Sequence, residues 1–284
     1  MPVKEEEHLP NSLDEHRCAL AKLANVRAPV HARKCCHTQS PFTQPKAEIK
    51  KEFLLKDEDV LQLLHPDALQ PYPISLPENL RSITITRRQL SKRYGGSEMD
   101  TFPKPGAQKR AQHGRDANFM CINLLWNPHA PQVPGRGGLF FDTSLPGDVW
   151  TRSRYHSERQ VLFVRLGDAR WLYLGVYEVS QAPPLTSAQW CGLRDAVRAV
   201  WTKNIYQKNW GRSTRARISL RRFLGREPTH DDEEHAQGDF KEVTEEQIKE
   251  AFAAGEECIC VWSMKCVDYD EDFQRELIDL ARGS

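Results

Sequence analysis

The sequence predicts an α+β protein: a small mixed or antiparallel β-sheet or barrel flanked by three to four helices, with a disordered N-terminal tail ahead of it. Three observations predict this. At the centre, residues 161–165 and 171–179 are apolar alternating runs on either side of Gly167-Asp168, the pattern of a β-hairpin. After it come segments whose apolar residues recur at helical spacing, two of them opening on a capping signal, Thr186 with Gln189 and Thr244 with Gln247. Ahead of it, residues 1–45 hold few large apolar side chains, and the mean hydropathy of the chain is −0.64, low for a chain packed along its whole length.

The chain has 284 residues and is 39% apolar, enough for one sizeable core. Its 40 basic and 39 acidic residues leave a net charge of +1, so only the distribution of charge bears on a polyanionic partner. Residues 1–11 are acidic and lack an apolar run, and no apolar stretch reaches the ~18 residues of a membrane span. The expectation is therefore no secretory signal and no membrane partner. The eight cysteines are irregularly spaced, which fits reduced thiols in an intracellular setting, nuclear or cytoplasmic.

Three regions follow. Residues 1–45 read as the tail. Residues 46–115 read as short helices and a basic Pro/Gly-rich linker: an amphipathic helix within 47–64, a short element over 80–93 carrying Arg87, Arg88, Lys92 and Arg93, then a linker over 94–115. Residues 116–282 read as the globular domain, its fold beginning near Asn118. Within it, 119–126 and 139–141 are strands separated by a loop rich in proline and glycine. In the hairpin, alternation puts Trp171, Tyr173, Gly175, Tyr177 and Val179 on one face, with Leu172, Leu174 and Val176 on the other. Both faces are apolar, which places the strand inside a barrel or under a helix. Residues 186–203 read as one helix with Trp190, Leu193, Val197, Val200 and Trp201 inward. Residues 212–224 read as a helix closed by Gly225, and 244–254 as one closed by Gly255. Residues 257–267 read as a core strand and 268–282 as a final helix with Phe273, Leu277 and Leu280 inward.

Three segments together carry a resemblance. They are Cys121-Ile-Asn-Leu-Leu-Trp-Asn-Pro-His-Ala-Pro131 running into Pro134-Gly-Arg-Gly-Gly-Leu-Phe-Phe141, then Trp171-Leu-Tyr-Leu-Gly-Val-Tyr177, and Val261-Trp-Ser-Met-Lys-Cys-Val-Asp-Tyr-Asp270. The chain resembles an uncharacterised domain family of basidiomycete fungi over about 118–280. The resemblance implies a fungal origin and a domain boundary, and supplies no activity or catalytic residue. The hairpin alone is similar to those of PUA/SRA-like barrels, which implies a nucleic-acid-binding architecture.

The strongest functional signal is a basic run. Between Tyr206 and Arg226 stand Lys208, Arg212, Arg215, Arg217, Arg221, Arg222 and Arg226 with no acid, and Trp210 beside them. Arginine forks pair with phosphates, and aromatic rings stack on unpaired bases. The alternative is internal: from Asp231 to Glu257 eleven acids stand against Lys241 and Lys249, and they can close the run without a ligand. A second basic group, Arg152, Arg154, Tyr155, His156, Arg159 and Arg165, precedes and enters the hairpin.

Other constellations are weaker. The turn at Asn127 and His129 with Gly135–Gly138 lacks the lysine and hydroxyl of a phosphate loop. His230 to His235 has metal-ligand types without zinc spacing, and Cys35-Cys36-His37 with Cys18 and His31 lies in the tail. Cys258 and Cys260 read as buried thiols, and Cys121 with His129 lacks an orienting partner. The reading is a non-enzymatic binding module that contacts DNA or RNA through Arg154, Arg165 and the run from Lys208 to Arg226, with no cofactor, metal or catalytic residue. The alternatives are a protein-interaction or scaffold domain, and a metal-assisted hydrolase or nuclease using Asp239, Glu257 and Lys265.

Overall fold

One long strand organises the sheet. In the computed structural model, which describes residues 55, 57–113, 118–143, 159–167 and 169–283, strand β5 (Arg170–Ala182) runs thirteen residues. On one side it pairs with β4 (Gln160–Gly167). On the other it pairs at its start with β1 (Thr84–Thr86) and at its end with β6 (Cys260–Asp268). β2 (Asn118–Asn123) adds to β4 in parallel, and β3 (Gly138–Asp142) adds to β6 antiparallel. The six-stranded sheet has the order β2-β4-β5-β6-β3, with β1 beside β5. A mixed sheet with helices around it is the expected α+β class.

Bulges curl the sheet. Leu162 faces Gly175 but Phe163 faces Tyr173, so Leu174 is an extra residue on β5. Gly175 has φ 124°, and a Cβ there would lie 2.8 Å from both the Asp268 carbonyl oxygen and Cys266 Sγ. The bulge also resets the strand's phase. Tyr173 packs with Phe163 and Phe273 on one face, whereas Tyr177 and Val179 join Leu172 and Leu174 on the other. The uninterrupted alternation read from the sequence therefore fails past residue 174, because a period-two pattern cannot register an inserted residue.

Ten helices, among the described residues, surround the sheet. The Tyr173 face is covered by α3 (Arg87–Tyr94) and α10 (Glu271–Arg282), through Leu90, Tyr94, Phe273 and Leu277. The face of β3 and β6 that carries Leu139, Phe141 and Val261 meets α5 (Ser187–Gly192), α6 (Asp195–Gln207), α7 (Arg212–Leu224) and α9 (Glu245–Ala254). They contribute Trp190, Ile205, Ile218, Ile248 and Phe252 to a core with Leu139, Phe141 and Val261. The capping boxes at Thr186 and Thr244 are present, as are the left-handed glycines Gly225 and Gly255.

Three expectations change. The helix read over 186–203 is two, because the chain is extended at Leu193 (ψ 149°) behind Gly192, a poor helix former. The strand read from 257 starts at Cys260. The boundary at 116 falls inside a packed body: Leu63, Leu76, Ile85, Leu90 and Tyr94 are core residues, and β1 is a strand of the sheet. The segment 46–115 carries α1 (Asp57–Leu63), α2 (Glu78–Arg81) and α4 (Ala107–His113) besides β1 and α3. Short helices were expected there, but its proline and glycine content hid β1 and α4, short elements that rely on the rest of the fold for their stability. No helix among the described residues is long and apolar enough to cross a membrane.

The bulge gives a direct test. Gly175→Ala is expected to destabilise the chain by roughly 2–4 kcal/mol, through positive-φ strain and overpacking against a carbonyl and a buried thiol. Urea unfolding measures it, and parental stability would rule out the bulge as described.

Candidate interaction surfaces

The arginine run is the natural starting point. α7 is helical because residues 212–224 hold no proline or glycine, and it stops where Gly225 turns left-handed at φ 66°. Its arginines do not line an open groove. Arg217 and Glu257 are each 1% exposed. The Arg217 guanidinium donates to both Glu257 carboxylate oxygens, with Nη2 to Oε2 at 2.7 Å and Nε to Oε1 at 3.2 Å. It also stands 3.5 Å from the Glu233 carboxylate. Arg221 donates to Glu227 at 2.7 Å and 2.8 Å and to Glu257 at 3.1 Å. Arg226 pairs with Asp232 at 2.7 Å.

Two further arginines bind carbonyls. Arg212 donates to Gly238 O (2.8 Å) and Ala236 O (2.7 Å). Arg215, 1% exposed, donates to Asp239 O (3.0 Å), Lys208 O (3.1 Å) and Ile205 O. Residues 227–239, including α8 (His230–His235), thus form an acidic strap over the basic helix, with Pro228 as its one buried residue. The electrostatics follow. Hydrogen bonding to Glu227 raises the pKa of Arg221, and the same bond lowers that of Glu227. Asp232 is held well below the usual carboxylate range by Arg226 and the Thr229 cap. Burial pulls Arg215 down.

The sequence-derived nucleic-acid set is therefore divided. Arg212, Arg215, Arg217, Arg221 and Arg226 are engaged within the chain, so reversing their charge would remove internal bonds. Lys208 and Arg222 are exposed, and neither forms an ion pair among the described residues. Trp210 is 48% exposed and meets Trp201 edge-on, ring centroids 6.1 Å apart. Arg165 is half-buried on β4 opposite Trp171, far along the chain from α7. Arg152, Arg154, Tyr155 and His156 lie outside the described residues, as do the tail cysteines and His31 and His37; Arg159 pairs with Glu178 at 3.5 Å.

The catalytic alternatives find different partners. Lys265 binds Asp67 at 3.2 Å, Glu257 binds arginines, and Asp239 offers its carbonyl to Arg215. His129 Nε2 accepts the Leu55 N–H at 2.8 Å. Cys121 lies against the Arg87 guanidinium, and burial pushes its thiol up to about 12. Cys258 and Cys260 interact thiol to thiol, which lowers the first and raises the second. Among the described residues no group of three or more metal-ligating side chains could hold an ion.

Two surfaces escaped the sequence reading. One is a shallow apolar cleft. Leu193, Val197 and Trp201 form one wall, Trp126 and Pro128 from the turn after β2 another, and Leu55, Phe141, Leu185 and Ile259 complete it. Trp126 is 39% exposed. The helical stripe of Val197 and Trp201 was legible, but it read as core. The other surface is the basic outer side of α3 and α4, which the sequence presented as a short basic element running into a linker.

A family model, described as a domain of unknown function (DUF6697), matches residues 84–280. The chain belongs to this family. The DUF6697 match begins at β1, ahead of the Asn118 expected from the resemblance, and so takes in α3 and α4. No curated protein and no solved structure matches the chain.

Two outcomes test the strap and its anchor. Glu257→Ala leaves the Arg217 guanidinium buried without its main partner, and is expected to cost about 3–5 kcal/mol in denaturant unfolding. Glu227 and Asp232 have lowered folded pKa values, so their stabilisation is complete above about pH 4.5 and is lost as pH falls through those lower values. Hydrogen exchange, corrected for intrinsic rates, should show residues 227–239 losing protection below about pH 4 before β5 and β6 do.

Proposed function

We propose that the DUF6697 domain of this chain is a non-enzymatic protein-interaction module that packs an apolar side chain of a partner against the shallow apolar cleft beside α6. The observation that carries this reading is the tryptophan arrangement. Trp126 and Trp201 line the cleft, Trp210 continues the aromatic surface at the edge of Trp201, and two of the three indoles are more than a third exposed. Tryptophan is enriched among the few side chains that dominate protein interfaces, because it covers a large area at low conformational cost. An open apolar cleft rimmed by polar groups marks such a site.

Charge narrows the partner. Arg194 and Lys208 cap the two ends of α6, the helix that carries Val197 and Trp201. Both are exposed, with no ion pair among the described residues. They suit a partner segment in which carboxylates flank a large apolar residue. The nucleic-acid reading draws no support from the arginine run, since the acidic strap and Glu257 already engage five of its arginines.

A peptide-display selection against the purified chain tests this. It is expected to enrich sequences with an aromatic or large aliphatic residue beside aspartate or glutamate. A Trp126→Ala/Trp210→Ala variant should bind those peptides at least tenfold more weakly, the scale of an interface hot spot. No enrichment, or equal binding by a folded variant, would overturn the reading.

A further inference from the structure

The second surface lies away from α6 and is independent of the cleft. α3 has the sequence Arg-Arg-Gln-Leu-Ser-Lys-Arg-Tyr, without an acid. Its inner side is fixed by Leu90 and Tyr94 in the core and by Arg87. The buried Arg87 guanidinium donates to Glu98 O (3.1 Å) and Asp100 O (3.0 Å) and stands over the Trp171 ring at 5.2 Å. The loop after α3 is thus held by an arginine whose charge meets carbonyls rather than a carboxylate.

The outer side is a row of cations. Arg88 and Lys92 are one helical turn apart, about 6 Å along the axis. α4 docks beside them: the Lys109 ammonium donates to Lys92 O at 3.2 Å, and His113 meets Tyr94 edge-on at 5.3 Å. Lys104 stands on the preceding loop. Arg88, Lys92, Arg93 and Lys104 are exposed, and none forms an ion pair among the described residues. At the other end of α3, Arg165 pairs across β4–β5 with Trp171 and so shares the face of the sheet that α3 covers. The carboxylates bordering this surface are Glu98, Asp100 and Glu276, and Glu276 takes the Tyr94 hydroxyl at 2.9 Å.

We propose that the face formed by Arg88, Lys92, Lys104 and Lys109, extended by Arg165, binds the phosphate backbone of nucleic acid. Cations on long stems along one face match a line of phosphates, and arginine forks grip phosphate oxygens in pairs. Such contacts position a nucleic acid without reading its bases, so binding is independent of sequence. The arginines of α7 take no part. The proposal goes beyond the interaction module and does not depend on it.

Fluorescence anisotropy of the full chain with a labelled mixed-sequence duplex, from 50 to 300 mM salt, tests it. With four to six phosphates neutralised, log affinity should fall against log salt with a slope of about −4 to −5. Arg88→Glu/Lys92→Glu/Lys104→Glu should weaken binding at 100 mM salt at least tenfold and flatten the slope. Arg222→Glu, at an exposed position of α7, should change it less than twofold, as should the Trp126→Ala/Trp210→Ala variant. If the triple reversal fails to fold, Arg88→Gln/Lys92→Gln should still weaken binding at least threefold. No binding at 50 mM salt, or charge variants that bind as the parent does, would overturn the proposal. So would a polyglutamate peptide binding as tightly as the duplex, which would identify an acidic protein segment instead.

Discussion

The buried pair of Arg217 and Glu257 sets the geometry of the helical side of this protein. Taking a guanidinium and a carboxylate out of water costs several kcal/mol per ion, and only a network that meets their hydrogen-bonding groups offsets it. Here the network reaches four parts of the chain. Arg217 comes from the middle of α7. Glu257 stands between the left-handed Gly255 that ends α9 and the start of β6, with its own N–H bonded to Ala251 O at 3.2 Å. Arg217 Nη2 also reaches Thr143 O, just past β3. Helix α7 is thereby registered against the β3–β6 edge, and the strap closes over it through Glu233.

That registration explains why charge composition alone misleads. A net charge of +1 conceals two basic regions with opposite fates. The α7 region faces a following segment rich in acid, so its charges close within the chain, and the polar strap is held by those bonds in place of apolar burial. The α3–α4 region contains seven cations over residues 87–113 against Glu98 and Asp100. Its one buried arginine bonds carbonyls, so the local positive charge persists at the surface. What separates the two is the sign of the neighbouring sequence, not the number of arginines.

This also marks what could be read from the sequence. The helix over 212–224, its glycine stop, both threonine caps and the hairpin were legible, since each rests on a local pattern of a few residues. The pairing of Arg217 with Glu257 was legible only as one of two alternatives. Periodicity told that the run was helical, but not which side met the acids forty residues on. The contribution of 57–113 to the sheet was obscured because β1 has three residues, too short to announce itself, and the short element read over 80–93 gave no sign that it packs on the sheet. The phase of β5 was lost at Gly175, where the glycine was visible and the bulge was not. The cleft was hidden for a simpler reason: Val197 and Trp201 sit on the stripe that also builds the core, and an apolar stripe does not declare where its burial ends.

The interior arginines and the tryptophan surface are linked through the corner between α6 and α7. Arg215 donates to the carbonyls of Ile205 and Lys208, in the last turn of α6 and just beyond it. Gly211 lies so close beneath that a Cβ would come within 2.0 Å of Ile205 O. Together they force the tight 3-10 turn Asn209–Gly211, which carries Trp210 back against Trp201. A longer connection would let the second indole swing away, and the aromatic surface would end at the cleft. The arginine that the sequence offered to a phosphate thus acts on the opposite side of the helix. By holding the end of α6 from within, it fixes where the exposed aromatic ring stands.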